Sequence, residues 1–180
     1  MNFYINEIRR ALFDIMKDEK VIMIGEDIKD NFGGCFKVTK GLSTKYPERI
    51  INMPVSEAAI VGVATGLAMR GFKPIVEIMF YDFMTLCFDQ LLNHALKFKK
   101  IWNISPNITI RTVIGHPDYG VNHSQNLDYI FEKIMPVYHP TLDDNVYDMF
   151  MECFNREEPT LFVEESHLYK KRLINASEKD

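Results

Sequence analysis

The stretch that most constrains the fold is an apolar segment with an acid at its start. Residues 58–69 (Ala-Ala-Ile-Val-Gly-Val-Ala-Thr-Gly-Leu-Ala-Met) have almost no polar face, which predicts a helix buried on all sides. Pro54 ends the preceding strand, Ser56 can cap the helix, and Glu57 falls in its first turn. Because a buried carboxylate is costly without a partner, Glu57 is either a capping acid on the helix dipole or a functional group.

Composition narrows the class of protein. The chain has 180 residues and is 47% hydrophobic, enough for one domain with a real core. Its net charge of -4 argues against a nucleic-acid partner, and its three widely spaced cysteines suggest neither a disulfide framework nor a zinc site. No signal-peptide pattern is visible, and the longest apolar run is too short to span a bilayer. We therefore expect a cytoplasmic protein without a membrane partner.

Short apolar runs alternate with helical patterns, and no hairpin signal separates the runs. This order predicts an α/β fold with a mostly parallel sheet of about six strands and helices on both faces. Strands are predicted at residues 21–24, 49–52, 74–79, 107–113, 135–138 and 160–164. Helices are predicted at residues 3–16, 40–46, 57–69, 84–97, 126–133 and 143–154. We expect one domain over residues 1–169 and a polar tail over 170–180, with loose order beginning near Ser166.

Two loops carry further candidate groups. Glu26 directly follows the first predicted strand, at the edge where open α/β sheets bind ligands, although a simple turn would also explain it. The glycine loop at residues 31–36 lacks the Lys-Ser/Thr ending of a phosphate loop and does not match G-x-G-x-x-G. A loop over residues 114–122 leads to His123. A lone histidine is often structural, but its place at the end of a Gly/Pro loop favours function.

Together, seven fragments in order resemble the pyrimidine-binding domain of thiamine-diphosphate enzymes. The similarity is greatest to the beta subunit of the decarboxylating component of 2-oxo acid dehydrogenases, with transketolase more distant, and it covers roughly residues 5–169. The fragments are Gly25-Glu26-Asp27, Gly33-Gly34-x-Phe36-x-Val38-Thr39-x-Gly41-Leu42, Arg49-Ile50-x-Asn52-x-Pro54-Val55-Ser56-Glu57, Gly66-x-Ala68-Met69-x-Gly71-x-Lys73-Pro74, Glu77-Ile78-Met79-x-x-Asp82-Phe83, Asp89-Gln90-x-x-Asn93 and His123-Ser124-Gln125.

The resemblance implies that Glu57 bonds a pyrimidine nitrogen of thiamine diphosphate. A carboxyl group that shares a proton with this nitrogen favours the imino tautomer of the ring. The neighbouring exocyclic nitrogen can then remove the thiazolium proton, after which the cofactor's own chemistry proceeds. Burial of Glu57 strengthens this hydrogen bond and keeps the carboxyl group in its proton-sharing state.

The resemblance also implies roles for other residues. Phe83 stacks on the pyrimidine ring, although a core phenylalanine is the ordinary alternative. Glu26, Ser56 and Met79 line the same pocket, and His123 faces the substrate end of the cofactor. Four further histidines have weaker claims to function: His94, His116, His139 and His167.

A second set of expectations comes from what the sequence does not contain. It lacks the Gly-Asp-Gly…Asn pattern that holds magnesium and the diphosphate in such enzymes, so we expect no metal ligand in this chain. The resemblance then implies a diphosphate-binding alpha-type partner subunit, with self-association or a heterotetramer. We also expect the usual C-terminal transketolase-type domain to be absent from this chain and supplied by a separate one.

The resulting hypothesis is a split thiamine-diphosphate enzyme, active only with a partner chain. It would decarboxylate a 2-oxo acid, or cleave a ketol, and transfer the acyl or two-carbon unit. The alternative is a non-catalytic binding or regulatory module derived from that fold, which predicts decay of the Glu57 pocket. A nucleotide-binding α/β protein is a third reading, and the lack of a phosphate-binding glycine motif weighs against it.

Overall fold

The computed structural model describes residues 3–174. Its strands are β1 (Val21–Gly25), β2 (Ile50–Asn52), β3 (Lys73–Ile78), β4 (Thr109–Ile114), β5 (Val137–Tyr138) and β6 (Thr160–Glu165). They form one six-stranded sheet in the order β2-β1-β3-β4-β6-β5, and every neighbouring pair is parallel. The predicted α/β fold with a parallel sheet of about six strands is confirmed.

Helices cover both faces of the sheet, as predicted. They are α1 (Tyr4–Ile15), α2 (Leu42–Lys45), α3 (Glu57–Met69), α4 (Leu96–Trp102), α5 (Asp128–Phe131) and α6 (Val146–Asn155). Successive strand side chains point to opposite faces, and this divides the core in two. Ile75 and Phe162 pack with α1 and α6, whereas Val76 and Val163 pack with α3 and α5.

The helix predicted over residues 84–97 begins earlier and is less regular than expected. A 3₁₀ helix spans Tyr81–Cys87, a π-helix spans Gln90–Ala95, and α4 then continues to Trp102. Tyr81, Met84 and Cys87 are all buried, and their spacing of three matches the three residues per turn of a 3₁₀ helix. Burial of this one stripe therefore favours the tighter helix at the start of the segment.

Two details of α3 differ from the prediction. Its outer face is exposed in this chain rather than buried, because the sheet covers only one side of the helix; the exposed residues are Ala59, Gly62, Val63, Gly66 and Met69. Ser56 occupies the N-cap position, but its side chain makes no capping hydrogen bond. The predicted end of the helix is confirmed, since Gly71 follows the C-cap with a φ of 85°.

The segment after β6 is ordered further than predicted. Residues Ser166–Leu168 form a 3₁₀ turn, Tyr169 is buried, and Arg172 pairs with Phe3 in an isolated antiparallel bridge. The loose order expected from Ser166 is therefore wrong up to this bridge, and the remainder of the predicted tail, residues 175–180, lies outside the described residues. Over residues 3–174, no helix is long and apolar enough to cross a membrane.

A buried ion-pair network links three neighbouring strands. Arg111 on β4 donates from Nε and Nη2 to the two carboxylate oxygens of Glu164 on β6, at 2.7 and 2.8 Å. Its Nη1 donates to Glu77 on β3, the residue opposite it in the parallel register. The Tyr169 hydroxyl donates a hydrogen bond to Glu164, with an oxygen–oxygen distance of 2.7 Å. Burial opposes the charge of Arg111, but the two carboxylates outweigh it and raise the pKa of the guanidinium.

Replacing Arg111 by methionine is predicted to reduce the free energy of unfolding by about 3–5 kcal/mol, because two buried carboxylates lose their cation. Urea denaturation of the full chain measures this change. The control is Arg156→Met, which removes an exposed arginine paired with Glu158. It should have a much smaller effect, because an exposed ion pair contributes little to stability. Equal losses in the two variants would contradict a special role for the buried network.

Candidate cofactor site at the carboxyl edge of the sheet

Two carboxylates meet where β1 ends and α3 begins. Glu26 directly follows β1 and Glu57 is the first residue of α3; both are buried, at 8% and 6% exposure. The Oε1 atom of Glu26 is buried and has no hydrogen-bond partner. Burial and the nearby Glu57 carboxylate raise the pKa of Glu26, and a hydrogen bond from the Ser56 backbone amide offsets part of this effect. This corner of the chain therefore favours a protonated Glu26 carboxyl group and leaves one of its oxygen atoms without a hydrogen-bond partner.

Phe80, Phe83 and His123 form an aromatic wall. The His123 ring lies 4.7 Å from the Phe80 ring and 5.5 Å from the Phe83 ring, both in edge-on geometry. The Nδ1 atom of His123 is buried and has no hydrogen-bond partner. Burial and the charge of Glu57 raise the pKa of the Cys87 thiol to about 12, which places Glu57 close to the 3₁₀ helix that carries Phe83.

Three consecutive residues of this 3₁₀ helix hold the segment that carries His123. The hydroxyl of Tyr81 donates to Asp128 at 3.0 Å, and Asp82 accepts from the Gln125 side chain at 2.6 Å. The third residue is Phe83, whose ring packs against His123. The start of the 3₁₀ helix and the His-Ser-Gln motif are therefore two sides of one contact.

Gly115 brings the same segment against the end of β4. Its backbone N–H donates to the His123 carbonyl oxygen at 2.8 Å. A Cβ atom at this position would lie 2.3 Å from that oxygen, which no side chain can tolerate. Glycine is thus required here to let the His123 backbone approach the sheet.

The glycine loop forms the opposite side of the site. Gly34 has a φ of 80°, and a Cβ there would lie 3.3 Å from the Glu77 carboxylate. The next residue, Cys35, contacts the Sδ atom of Met79 at 3.1 Å through its Sγ atom. Met79 follows β3 directly, so the loop packs onto the strand end between β1 and β4.

A cavity of about 420 Å³ adjoins this region. Apolar groups form much of its lining, and its polar and charged groups include two lysines, two histidines and no carboxylate. These four are Lys37, His116, His167 and Lys170. The buried hydroxyl of Ser166, which has no hydrogen-bond partner, also lines it. His116 and His167 pair with the carboxylates of Asp118 and Glu165, so Lys37 and Lys170 are the groups of this lining that would attract an anion.

Comparison with known proteins identifies the family. A family model described as the transketolase pyrimidine-binding domain matches residues 6–171. The chain belongs to this family. Solved structures agree on the fold. A split-gene transketolase, described as an inactive beta4 tetramer, matches with a TM-score of 0.69 and 19% identity, over 89% of this chain and 50% of that one. A transketolase from Campylobacter jejuni matches with a TM-score of 0.67 and 16% identity, over 93% of this chain and 26% of that one.

Curated relatives of this transketolase-type domain are beta subunits. The chain is 36% identical to the beta subunit of acetoin:2,6-dichlorophenolindophenol oxidoreductase from Cupriavidus necator, over 87% of this chain and 50% of the relative. It is 32% identical to the 2-oxoisovalerate dehydrogenase subunit beta from Pseudomonas aeruginosa, over 89% and 48%. It is 33% identical to the pyruvate dehydrogenase E1 component subunit beta from Acholeplasma laidlawii, over 91% and 52%. The chain thus spans about half the length of the curated relatives it matches.

The structure brings most of the predicted site residues to this edge of the pyrimidine-binding domain. Glu26, Ser56 and Glu57 meet at the head of α3, while Phe83 and His123 are in contact. Among the four other histidines, His94 and Asp89 form an exposed pair at 3.6 Å, and His116 lies on the cavity lining. Sequence reasoning missed Asp82, Asp128 and their partners. The only available signal was the position of Asp82 beside Phe83, and it does not reveal which residues Asp82 contacts.

The glycine loop is anchored by Asp30, whose carboxylate accepts from the backbone amides of Gly41 and Thr44 and from the hydroxyls of Ser43 and Thr44. The Gly41 amide contributes most to lowering the pKa of Asp30 to about 2. Asp30→Ala is predicted to reduce the free energy of unfolding by roughly 1–2 kcal/mol at neutral pH, as expected for losing the caps of α2.

The pH dependence of unfolding checks the Asp30 prediction. A carboxylate with a depressed pKa stabilises the fold above its unfolded pKa, and this contribution disappears as the pH falls towards 2. The difference between wild type and Asp30→Ala should therefore shrink between about pH 4 and pH 2. The control is Asp118→Ala, which removes an exposed carboxylate on a surface turn. A difference that stayed constant down to pH 2 would contradict the assignment.

Glu26→Gln is predicted to stabilise the isolated chain. An acid whose folded-state pKa is raised destabilises the folded state as the pH rises above the unfolded pKa, and the cost persists at neutral pH. Removing the charge should therefore raise the thermal midpoint at pH 7 and have little effect near pH 4. Calorimetry at both pH values measures this, with Glu132→Gln on the exposed surface as control. A lower midpoint for Glu26→Gln at pH 7 would contradict the prediction.

Proposed function

We propose that this chain is the pyrimidine-binding part of a thiamine-diphosphate-dependent enzyme that acts on a 2-oxo acid or a ketol. The enzyme would transfer the resulting acyl or two-carbon unit to an acceptor. The observation that carries this proposal is the buried Glu57 carboxylate at the head of α3, close to Glu26 and to the helix that bears Phe83. A non-catalytic module would have no reason to keep two costly buried acids together.

The residues present fit a polar aromatic ring such as the aminopyrimidine. Glu26 Oε1 and His123 Nδ1 are buried atoms that still lack a hydrogen-bond partner. Phe83 offers an aromatic surface, and Met79 offers a polarizable apolar one. We assign ring contacts to Phe83 and Met79 and polar contacts to Glu26, Ser56 and Glu57. When bound, thiamine diphosphate supplies the nucleophilic carbon that attacks the substrate carbonyl.

Glu57 would hold a proton against a ring nitrogen of the cofactor. Burial keeps water away from this hydrogen bond and strengthens it. Burial and the neighbouring Glu57 carboxylate raise the pKa of Glu26, so Glu26 favours its protonated form beside Glu57. In this proposal Glu57 is the residue that sets the protonation state of the cofactor ring.

His123 would face the substrate. Its ring is fixed by Phe80 and Phe83, and its segment is fixed by Asp82 and Gly115. A 2-oxo acid carries a carboxylate, and the neighbouring cavity lined by lysines and histidines suits an anion. In this proposal, His123 donates a hydrogen bond to an anionic substrate as charge develops on its carbonyl oxygen.

A partner would complete the site. The 180 residues contain no Gly-Asp-Gly motif, so we assign Mg²⁺ and the diphosphate group to an alpha-type partner. The exposed apolar face of α3 is the proposed contact surface, because it starts beside Glu57 and presents no charged side chain. The beta-subunit names of the relatives and the tetramer named for one structural neighbour support a heteromer or self-association. A further chain carrying a C-terminal transketolase-type domain is a possible third component of this proposal.

We place this enzyme in the cytoplasm. Cys35, Cys87 and Cys153 are free thiols, and two of them are buried in the core. This pattern suits a reducing compartment. Over residues 3–174, no group of three His, Cys, Asp or Glu side chains is arranged to hold a metal ion.

Affinity purification from the native cells, in magnesium and thiamine diphosphate, tests the proposal. We expect a second chain with a Gly-Asp-Gly…Asn pattern to co-purify, and the complex to release carbon dioxide from a 2-oxo acid or to cleave a ketose. Acetoin, pyruvate, branched-chain 2-oxo acids and ketose phosphates are suitable substrates for the screen. A chain that returns alone and binds no thiamine diphosphate would contradict the proposal.

Glu57→Gln is predicted to slow proton exchange at the thiazolium C2 of bound thiamine diphosphate by roughly 10²–10⁴-fold, the usual contribution of a positioned acid–base group. The exchange rate in the purified complex is measured by mixing with D₂O, quenching the exchange and recording the remaining C2 proton by nuclear magnetic resonance. Glu132→Gln, an exposed surface change, is the control and should exchange at the wild-type rate. Wild-type exchange in the assembled Glu57→Gln complex would refute the role of Glu57.

A further inference from the structure

His139 occupies an unusual position between two acids. It directly follows β5, and its Nδ1 atom lies 2.7 Å from the Asp128 carboxylate. Its Nε2 atom lies 3.1 Å from the carboxylate of Glu165, the last residue of β6. The three side chains are largely covered, with exposures of 22%, 18% and 22% for His139, Asp128 and Glu165.

This geometry requires a charged ring. A neutral imidazole has one N–H donor and one acceptor nitrogen, so it can satisfy only one of the two carboxylates. The other contact would place a nitrogen lone pair against a carboxylate oxygen, which is repulsive. Only the imidazolium form donates to both. Burial alone would favour the neutral ring, but the hydrogen bonds to Glu165 and Asp128 outweigh it and raise the pKa of His139.

The two hydrogen bonds of His139 act on the segment that carries His123. Asp128 is the first residue of α5, only five positions after His123. The segment is held at one point by Asp82, through Gln125, and at a second point by Asp128. Asp128 also accepts from Tyr81, so His139 fixes the end of the segment relative to both the 3₁₀ helix and the edge of the sheet.

We propose that His139 is a positioning residue: in its charged form it clamps the His123 segment by linking Asp128 to Glu165, and this link between the two acids is broken when the ring loses its proton. The consequence for turnover rests on the proposed function of His123, whereas the clamp itself does not. The residue contacts neither the aromatic wall nor the acid pair at the head of α3, so it acts through the segment alone.

The charged groups around the ring set the direction of the pH dependence. From α5 the ring faces Asp128, and from the end of β6 it faces Glu165. Tyr81 contacts Asp128, and the exposed His167 contacts Glu165 at 3.2 Å. Because the folded-state pKa of His139 is raised, the clamp is complete below the ordinary histidine range and is lost as the pH rises through the folded pKa.

Hydrogen exchange of the full chain between pH 5.5 and pH 9.5, corrected for intrinsic rates, tests the clamp. Amide protection over residues 123–128 should fall roughly tenfold or more with rising pH, the scale of one charge-assisted hydrogen bond. His139→Gln should give low protection at every pH. His139→Arg, which stays charged and can donate to both acids, should give high protection at every pH. The control is His94→Gln, an exposed histidine near Asp89, which should keep the wild-type profile.

Either variant at position 139 can decide the question. Wild-type protection and pH profile in His139→Gln would overturn the clamp. If His139→Gln fails to fold, His139→Arg decides alone, because a wild-type pH dependence in that variant would overturn the clamp. In the purified complex, His139→Gln should lower kcat more than it raises KM. His139→Arg should restore kcat and abolish the decrease of kcat at alkaline pH. A wild-type complex without thiamine-diphosphate turnover would refute the proposed function of His123, and the exchange measurements would still decide the clamp.

Discussion

The middle of the sheet depends on the ion pairs that the Arg111 guanidinium forms. This guanidinium holds Glu77 on β3 and Glu164 on β6, and Glu164 in turn holds Tyr169 in the segment after the last strand. Two buried acids and one buried base are expensive to desolvate, so the three strands must keep their register for the charges to remain paired. Glu77 also lies against Gly34, which connects this network to the loop beside the site.

The site itself is a product of the parallel sheet. Parallel strands end at the same edge, so residues far apart in sequence meet there. Glu26 follows β1, Met79 follows β3, and Gly115 follows β4, where its backbone N–H donates to the His123 carbonyl oxygen. The 3₁₀ helix then joins these strand ends to the His123 segment, since Tyr81, Asp82 and Phe83 each contact a different residue of it.

Much of this could be predicted from the sequence, and the reasons are local. Helix and strand patterns located all six strands to within a few residues, and the family resemblance selected Glu57, Phe83 and His123 from many possible acids and aromatics. The failures have physical causes. Apolar residues all round α3 predicted complete burial, yet the pattern cannot say whether another element of the same chain covers each face. The polar residues from Ser166 onward predict loose order, and they do not reveal that the Tyr169 hydroxyl donates to Glu164 in the core.

The sequence by itself determined the order of elements, the parallel sheet, and the identity of the acid at the head of α3. These follow from periodicity, turn residues and motif order, which are properties of neighbouring positions. Only the tertiary structure decided that Arg111 joins two acids on adjacent strands, or that His139 stands between Asp128 and Glu165. Such contacts join residues 11 to 53 positions apart, and strand register and distance, rather than residue type, determine which charges meet.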